Sequence, residues 1–113
     1  MQHPCPPNEC PIQSILRLLA GPWTSYIVWI LGERGKQRFG TLKRQVGGIS
    51  TRLLTARLRL LEEHGLVLRH VVQTTPPQVS YELTARGREL GATLRQLNGV
   101  AERWQAEDSN KAA

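Results

Sequence analysis

The sequence contains no long apolar run and only two cysteines, and both shortages narrow the class of protein. None of its hydrophobic stretches approaches the roughly 18 residues that a membrane-spanning helix needs. The first residues lack the basic and apolar regions of a signal peptide. The sequence therefore predicts a cytoplasmic protein with no membrane partner, in which both cysteines stay reduced rather than forming a structural disulfide.

The sequence also lacks the motifs of common enzymes and of metal sites. It has no phosphate-binding loop, dinucleotide-binding fingerprint or conspicuous carboxylate pair, and its three histidines are scattered. A metal site made of His3, Cys5 and Cys10 would have no clear fourth ligand and no Cys-x-x-Cys pair. We therefore expect a protein that is not an enzyme and that binds no metal or cofactor.

What the sequence does have is basic charge, concentrated in one segment. Residues 34–69 hold nine of the fifteen Lys and Arg residues but only two of the nine acids. The same segment contains two helical patterns separated by Gly47-Gly48-Ile49-Ser50. A basic pair of helices joined by a tight turn is how a small protein places one helix in the major groove of DNA. Double-stranded DNA is therefore the predicted partner, since the sequence shows no amphipathic basic helix for a membrane surface.

Hydrophobic spacing predicts one small domain of α+β class that is mainly helical. Residues 10–105 are expected to form the domain, residues 1–9 a flexible arm and residues 106–113 a frayed tail. The first predicted elements are a helix capped by Cys10 and begun by Pro11, a helix over 23–32, a short strand over 38–39 and a helix over 41–46. They are followed by a helix capped by Ser50 and ended by Gly65, by strands over 67–73 and 79–83, and by a last helix capped by Thr84. This order describes a winged helix-turn-helix with N- and C-terminal helices for dimerisation.

A series of residues between 10 and 104 follows the pattern of one known family. The matching positions are Cys10-Pro11, Trp23, Arg38-Phe39, Leu42, Ile49-Ser50, Leu54, Leu58, Leu61-Glu62, Gly65-Leu66-Val67, Arg69, Pro76-Pro77-Gln78-Val79, Tyr81, Leu83-Thr84 and Gly87. In order and spacing they resemble the HxlR family of bacterial transcription regulators. The resemblance implies a homodimeric winged-helix repressor or activator, controlled in some members by thiol or carbonyl stress through the N-terminal Cys. Pro22 departs from the family, which usually has Lys before the Trp, so any role of that Lys is absent here.

Ten polar residues form the predicted DNA-binding surface. Arg52, Thr55 and Arg59 point away from the core on the helix that follows Ser50, where Arg can pair with guanine and a Thr methyl can touch thymine. The others are Thr51 on the first turn of that helix, Lys43, Arg44 and Ser50 around the preceding turn, and Gln73, Thr75 and Gln78 at the wing tip. The alternative interpretation is a solvated helix face and a solvated loop.

Two further arginines near this surface have structural explanations. Arg38 can contribute to DNA binding, but it can equally be an anchor packed under the wing. Arg69 lies on the first predicted wing strand, where pairing with an acid of the fold would explain it without DNA.

Cys10 is the predicted thiol sensor. At a helix N-cap its sulfur would lie near unpaired N–H groups and the positive helix end, which favours the reactive thiolate. Cys5, in the arm, could act as the resolving partner. The alternative is that Cys10 is only a small structural cap.

The terminal helices carry the predicted dimer surface. Leu90, Leu94, Leu97, Ala101 and Trp104 repeat at intervals of four and three residues on the last helix. A second set on the first helix completes the apolar surface: Ile15, Leu16 and Leu19. The alternative is that the last helix merely covers its own domain.

Taken together, these features predict a homodimeric DNA-binding transcriptional regulator that recognises an inverted-repeat operator, with Cys10 as the point of thiol or carbonyl-stress control and with no effector identified. The alternative function is a protein-interaction or assembly adaptor, built on the same winged-helix core without sequence-specific DNA contacts.

Overall fold

The structure, a computed structural model, describes residues 10–112 as five helices and a three-stranded antiparallel sheet. The predicted arm, with Cys5, lies outside the described residues. The elements are α1 (Pro11–Ala20), α2 (Thr24–Arg34), β1 (Gln37–Arg38), α3 (Phe39–Val46), α4 (Thr51–Glu63), β2 (Val67–Val72), β3 (Gln78–Leu83) and α5 (Ala85–Ala112). In the sheet β3 lies between β1 and β2. The predicted winged helix-turn-helix of α+β class is confirmed, with β2 and β3 as the wing.

The core lies where α2, α3, α4 and the sheet meet. Leu54, Leu58 and Leu61 of α4 are fully buried, and Ile27 and Leu31 of α2 pack in the same cluster. Each such side chain contributes about 1.5–3 kcal/mol through burial. One face of α4 is therefore held by the domain, which leaves the other face for solvent or a partner.

The turn between α3 and α4 fixes the direction of α4. Gly47 and Gly48 have φ angles of 70° and 77°, which only Gly adopts without strain. The Gly47 N–H donates to the Lys43 carbonyl oxygen at 3.1 Å and so ends α3. Ser50 then caps α4, because its Oγ accepts from the Leu53 N–H at 3.1 Å. The predicted turn and cap are both present.

Several element boundaries differ from the prediction by one or two residues. Trp23 precedes α2 with a φ of 75°, and its ring packs beside Gly48, so α2 begins at Thr24. The start of α3 is Phe39 rather than residue 41, and its ring contacts Tyr81 with the ring centroids 6.3 Å apart. This tertiary contact explains why a helix begins next to a glycine, where local propensity disfavours it.

The last helix is longer than predicted. α5 continues to Ala112, whereas a frayed segment is predicted from residue 106. The extension has no large apolar residue, but it contains good helix formers, Ala106 and Glu107, which continue a helix that is already nucleated.

No single helix among the described residues is long and apolar enough to cross a membrane. Only α1 and α2 taken together reach the necessary length and composition, and the two helices meet at a bend of 92°.

Candidate nucleic-acid interface

The outward face of α4 carries the polar residues that its buried leucines leave exposed. Thr51, Arg52 and Arg59 are exposed, and Thr55 is half-buried. The Thr55 hydroxyl donates to the Thr51 carbonyl oxygen at 2.8 Å, which fixes its rotamer. The guanidinium groups of Arg52 and Arg59 therefore provide the donors that can reach a base edge or a phosphate from this face.

A groove of about 810 Å³, here called the wing groove, separates α4 from the wing. Its lining residues are Arg38, Phe39, Gly40, Thr55, Arg59, Glu62, Arg69, Pro77, Gln78, Val79 and Tyr81. The charged residues of this lining are three arginines and one acid, Glu62. None of the three arginines, Arg38, Arg59 and Arg69, forms an ion pair with a described residue. The groove is therefore a cationic channel beside the outward face of α4.

The structure corrects the structural explanation of Arg69 and Arg38. Arg69 is exposed and forms no ion pair with an acid among residues 10–112. It stands opposite Tyr81 in the sheet, and both line the wing groove. The sequence could have indicated this position, because residues two apart in a strand lie on the same face of the sheet. Arg69 is two residues after buried Val67 and therefore lies on the same face of the sheet as Val67. Arg38 is also exposed and joins Arg59 in the same groove.

The helix-turn-helix turn forms a second basic concavity. Its lining residues are Gly40, Lys43, Arg44, Gly47, Gly48, Ile49 and Ser50. Arg44 is exposed and donates to the Thr41 hydroxyl at 3.3 Å, while Lys43 is half-buried. Because Ser50 caps one amide of α4, other first-turn amides remain available as donors to a phosphate. This concavity can hold an anionic oxygen beside two cations.

The wing tip extends into solvent. Gln73, Thr75 and Gln78 are all exposed, and Gln78 also lines the wing groove. The Thr74 hydroxyl donates to the Pro76 carbonyl oxygen at 2.8 Å, which orders the tip locally. The three predicted wing residues are therefore accessible to a ligand that lies against α4.

Cys10 occupies the predicted N-cap position of α1 and is half-buried. Its carbonyl oxygen accepts from the Gln13 N–H at 3.0 Å, but its thiol does not make a capping hydrogen bond. A preference for the thiolate at Cys10 would therefore come from the helix end as a whole rather than from one amide donor.

The residues of the predicted dimer surface divide into two groups. Leu90 and Leu94 pack against the core of their own domain, and Leu19 is half-buried. The others are exposed: Ile15, Leu16, Leu97, Ala101 and Trp104. In α1 the buried residue is Leu18, which lies outside the predicted stripe. The exposed apolar surface is therefore narrower than predicted, but Leu97 and Trp104 remain 61% and 63% exposed.

The chain is similar to transcriptional regulators over most of its length. Residues 18–109 match the model of the HxlR-like helix-turn-helix family. An HTH-type transcriptional regulator of Synechocystis is 40% identical over 102 residues, which cover 88% of this chain and 73% of that protein. The reduced form of the transcriptional regulator YodB from B. subtilis is 33% identical, with a TM-score of 0.71 over 83% of this chain and 92% of that chain. The redox regulator HypR in its oxidised form is 35% identical, with a TM-score of 0.74 over 83% of this chain and 96% of that chain.

The family match contains the basic helix-turn-helix, the wing and most of α5, and it begins after Cys10. These relatives are transcriptional regulators rather than enzymes, as the sequence predicts. The exposed basic face of α4 lies inside the matched region. The chain therefore belongs to the HxlR-like helix-turn-helix family of transcriptional regulators, whose helix-turn-helix binds DNA.

Proposed function

We propose that the protein is a homodimeric regulator that binds an inverted-repeat operator, with α4 in the major groove and a DNA backbone in the wing groove. The observation that carries the proposal is the group of three arginines without ion pairs beside the outward face of α4. A phosphate backbone can neutralise Arg38 and Arg69 on the wing side of the groove, while Arg59 on α4 can reach base edges.

Each part of the interface has a separate role in this proposal. Arg52 and Arg59 read base edges, with Thr51 and Thr55 beside them. Positioning on the backbone comes from the turn and the wing, through Lys43, Arg44, Ser50, Arg38, Arg69, Gln73, Thr75 and Gln78. Since phosphate contacts carry no sequence information, the two sets are expected to respond differently to substitution.

The homodimer is supported by the exposed end of α5. Its 28 residues span about 42 Å at 1.5 Å per residue, and its apolar stripe continues beyond the part that packs on the domain. A second copy would bury Leu97 and Trp104. Binding to successive major grooves requires that the two α4 helices of such a dimer lie about 34 Å apart, one turn of DNA.

Operator binding should separate base reading from backbone contact. Arg52→Ala is expected to weaken binding to a selected operator by about 1–3 kcal/mol while random DNA is bound almost as before. Lys43→Ala is expected to weaken both about equally and to lower the salt slope by about one contact. The measurement is a binding titration at several salt concentrations, with an operator selected from genomic fragments. Arg103→Ala, which removes the same charge from α5, is the matched control.

The adaptor alternative makes the opposite prediction for the same titration. An adaptor would enrich no genomic fragment over random sequence. If Arg52→Ala and Lys43→Ala both bind the selected operator as tightly as the parent, α4 and the turn are not the DNA contacts.

Thiol control through Cys10 is the regulatory part of the proposal. Two of the similar structures are of the redox regulator HypR in its oxidised and reduced forms. In this chain Cys10 is the N-cap residue of α1, whose exposed Ile15 and Leu16 belong to the proposed dimer surface. Added bulk, or a bridge between subunits, at this helix end would change the separation of the two α4 helices. Because the dimer must bind both half-sites at the same time, a small displacement of one α4 helix relative to the other lowers the affinity for the operator.

Mild oxidation should therefore change operator affinity in the parent protein. We expect diamide to shift the binding curve reversibly, with recovery after addition of reductant, and we expect no shift in Cys10→Ser. Cys5→Ser tests the arm thiol in the same titration, since oxidation through a bridge between Cys5 and Cys10 needs both sulfurs. An equal response of the parent and Cys10→Ser would remove Cys10 as the sensor.

A further inference from the structure

A groove of about 490 Å³ lies between α1 and α5, away from the residues proposed to contact DNA. Its lining residues are Ile12, Ser14, Ile15, Leu18, His64, Leu66, Arg86, Glu89, Leu90 and Thr93. This volume lies in the range of about 300–1,000 Å³ that is typical of small-molecule sites. We call this feature the α1–α5 groove.

The lining of the α1–α5 groove is amphipathic. Leu18 and Leu66 are buried and Leu90 is half-buried, so the floor of the groove is apolar. The groove is also lined by the basic side chains of His64 and Arg86. A guanidinium nitrogen of Arg86 lies 3.7 Å from the position that a Cβ on Gly65 would occupy, and Gly65 follows His64 directly. The two basic groups therefore share one end of the groove.

The two charged side chains that line the groove, Arg86 and Glu89, are not paired by the domain, because neither forms an ion pair with a described residue. By contrast, the hydroxyls of Ser14 and Thr93 already donate to backbone carbonyl oxygens of their own helices. Arg86 is thus the principal uncommitted donor in the groove. Its planar guanidinium matches a carboxylate through two parallel hydrogen bonds.

We propose that the α1–α5 groove binds an amphipathic organic carboxylate. The carboxylate pairs with Arg86, and the apolar body lies on Leu18, Leu66 and Leu90. The other candidate occupant is α5 of a second copy. Its exposed stripe (Leu97, Ala101 and Trp104) is uncharged and would cover the charged groups of Arg86 and Glu89 without offering either of them a partner, which is costly.

The position of the groove gives such a ligand a route to DNA binding, and this consequence rests on the proposed function. One wall is α1, which belongs to the proposed dimer surface. The opposite end is His64, the C-cap residue of α4. The dimer helices can be arranged in more than one way relative to α4, and a ligand between α1 and His64 favours the arrangement that it binds more tightly. The resulting change in operator affinity is limited by the difference in the ligand's affinity for the two arrangements.

The test uses 4-phenylbutyrate as the probe and 4-phenylbutyramide as its uncharged match. Binding to the full chain is followed by calorimetry and by amide NMR shifts, without DNA. We expect saturable binding of the carboxylate with shifts at Leu18, Leu66 and Leu90, and binding at least about tenfold weaker for the amide. Arg86→Gln should weaken carboxylate binding by a similar factor, whereas Arg103→Gln should leave it unchanged.

Each other result counts against the proposal. Absence of carboxylate binding to the folded parent, or equal binding by Arg86→Gln, overturns it. Binding only after the dimer is dissociated by Leu97→Asp would assign the groove to the second copy instead. The melting temperature of Arg86→Gln shows whether the variant is folded, and Arg86→Lys, which keeps charge but loses the paired donors, should have intermediate affinity. Ligand binding is measured without DNA. If the parent protein failed to bind an operator, the ligand measurement would therefore still decide whether the α1–α5 groove binds a carboxylate.

Discussion

Gly87→Ala is expected to lower the free energy of unfolding by about 3 kcal/mol or more, the largest effect on stability that we predict for a single methyl group. A Cβ at this position would overlap the Leu66 carbonyl oxygen, and it would lie 3.0 Å from the Leu66 carbonyl carbon and 3.1 Å from Leu83 Cδ2. The carbonyl cannot simply move aside, because it accepts the Thr84 N–H at 3.0 Å. The Thr84 hydroxyl in turn accepts the Gly87 N–H at 3.0 Å, so the start of α5 is held from both sides.

Chemical denaturation at equal protein concentration measures this effect, since dimerisation would make stability depend on concentration. Gly99→Ala on the same helix is the matched control. There a Cβ would meet only a guanidinium nitrogen of Arg103 at 3.7 Å, so Ala should be neutral or should stabilise by up to about 1 kcal/mol through helix propensity. An unchanged denaturation midpoint for Gly87→Ala would mean that α5 can move away from β2 without cost.

The helix-turn-helix could be predicted from sequence because its signals are local. Gly47-Gly48 and Ser50 specify the turn and cap through backbone angles and one side-chain hydrogen bond, which need no distant partner. The leucines of α4 specify its buried face by spacing alone. Arg52 and Arg59 could therefore be assigned to the outward face before the tertiary structure was considered.

The wing groove could not be predicted in the same way. Arg38 and Arg69 are far apart in sequence, and both line the same groove as Arg59 only because β3 pairs with β1 on one side and with β2 on the other. Sequence spacing gives the face of a strand on which a residue lies, but not the helix that this face meets. A structural role for both arginines was therefore as well supported by the sequence as a DNA contact.

The terminal helices illustrate a second limit. An apolar stripe predicts that a helix buries one side, but it does not distinguish the core of the same domain from a second subunit. In α5 one stripe serves two purposes: Leu90 and Leu94 pack on the domain, whereas Leu97 and Trp104 lie beyond it and are exposed. Only the placement of α5 against the domain separates these roles.

This division determines how the dimer should be tested. Removing α5 would also remove Leu90 and Leu94 from the core, so the truncated chain would lose its fold together with any interface. A charged residue at Leu97 acts only on the exposed part of the stripe. Ala106→Asp is the matched control, because it adds the same charge nine residues along α5, two and a half turns away on the opposite side.

Leu97→Asp is expected to dissociate the homodimer and to abolish tight operator binding. A symmetric interface contains the residue twice, so losing about 1.5–3 kcal/mol of burial for each copy raises the dimer dissociation constant by about 10²–10⁴-fold. A monomer binds only one half-site at a time. It therefore loses the increase in operator affinity that comes from binding both half-sites together, which is about 10²–10⁴-fold. Sedimentation at micromolar concentration and titration of the full and half operators measure the two effects.

Ala106→Asp should behave as the parent in both assays. If Leu97→Asp sediments as the parent does, or if the parent is already a monomer at micromolar concentration, the exposed end of α5 is not the dimer surface.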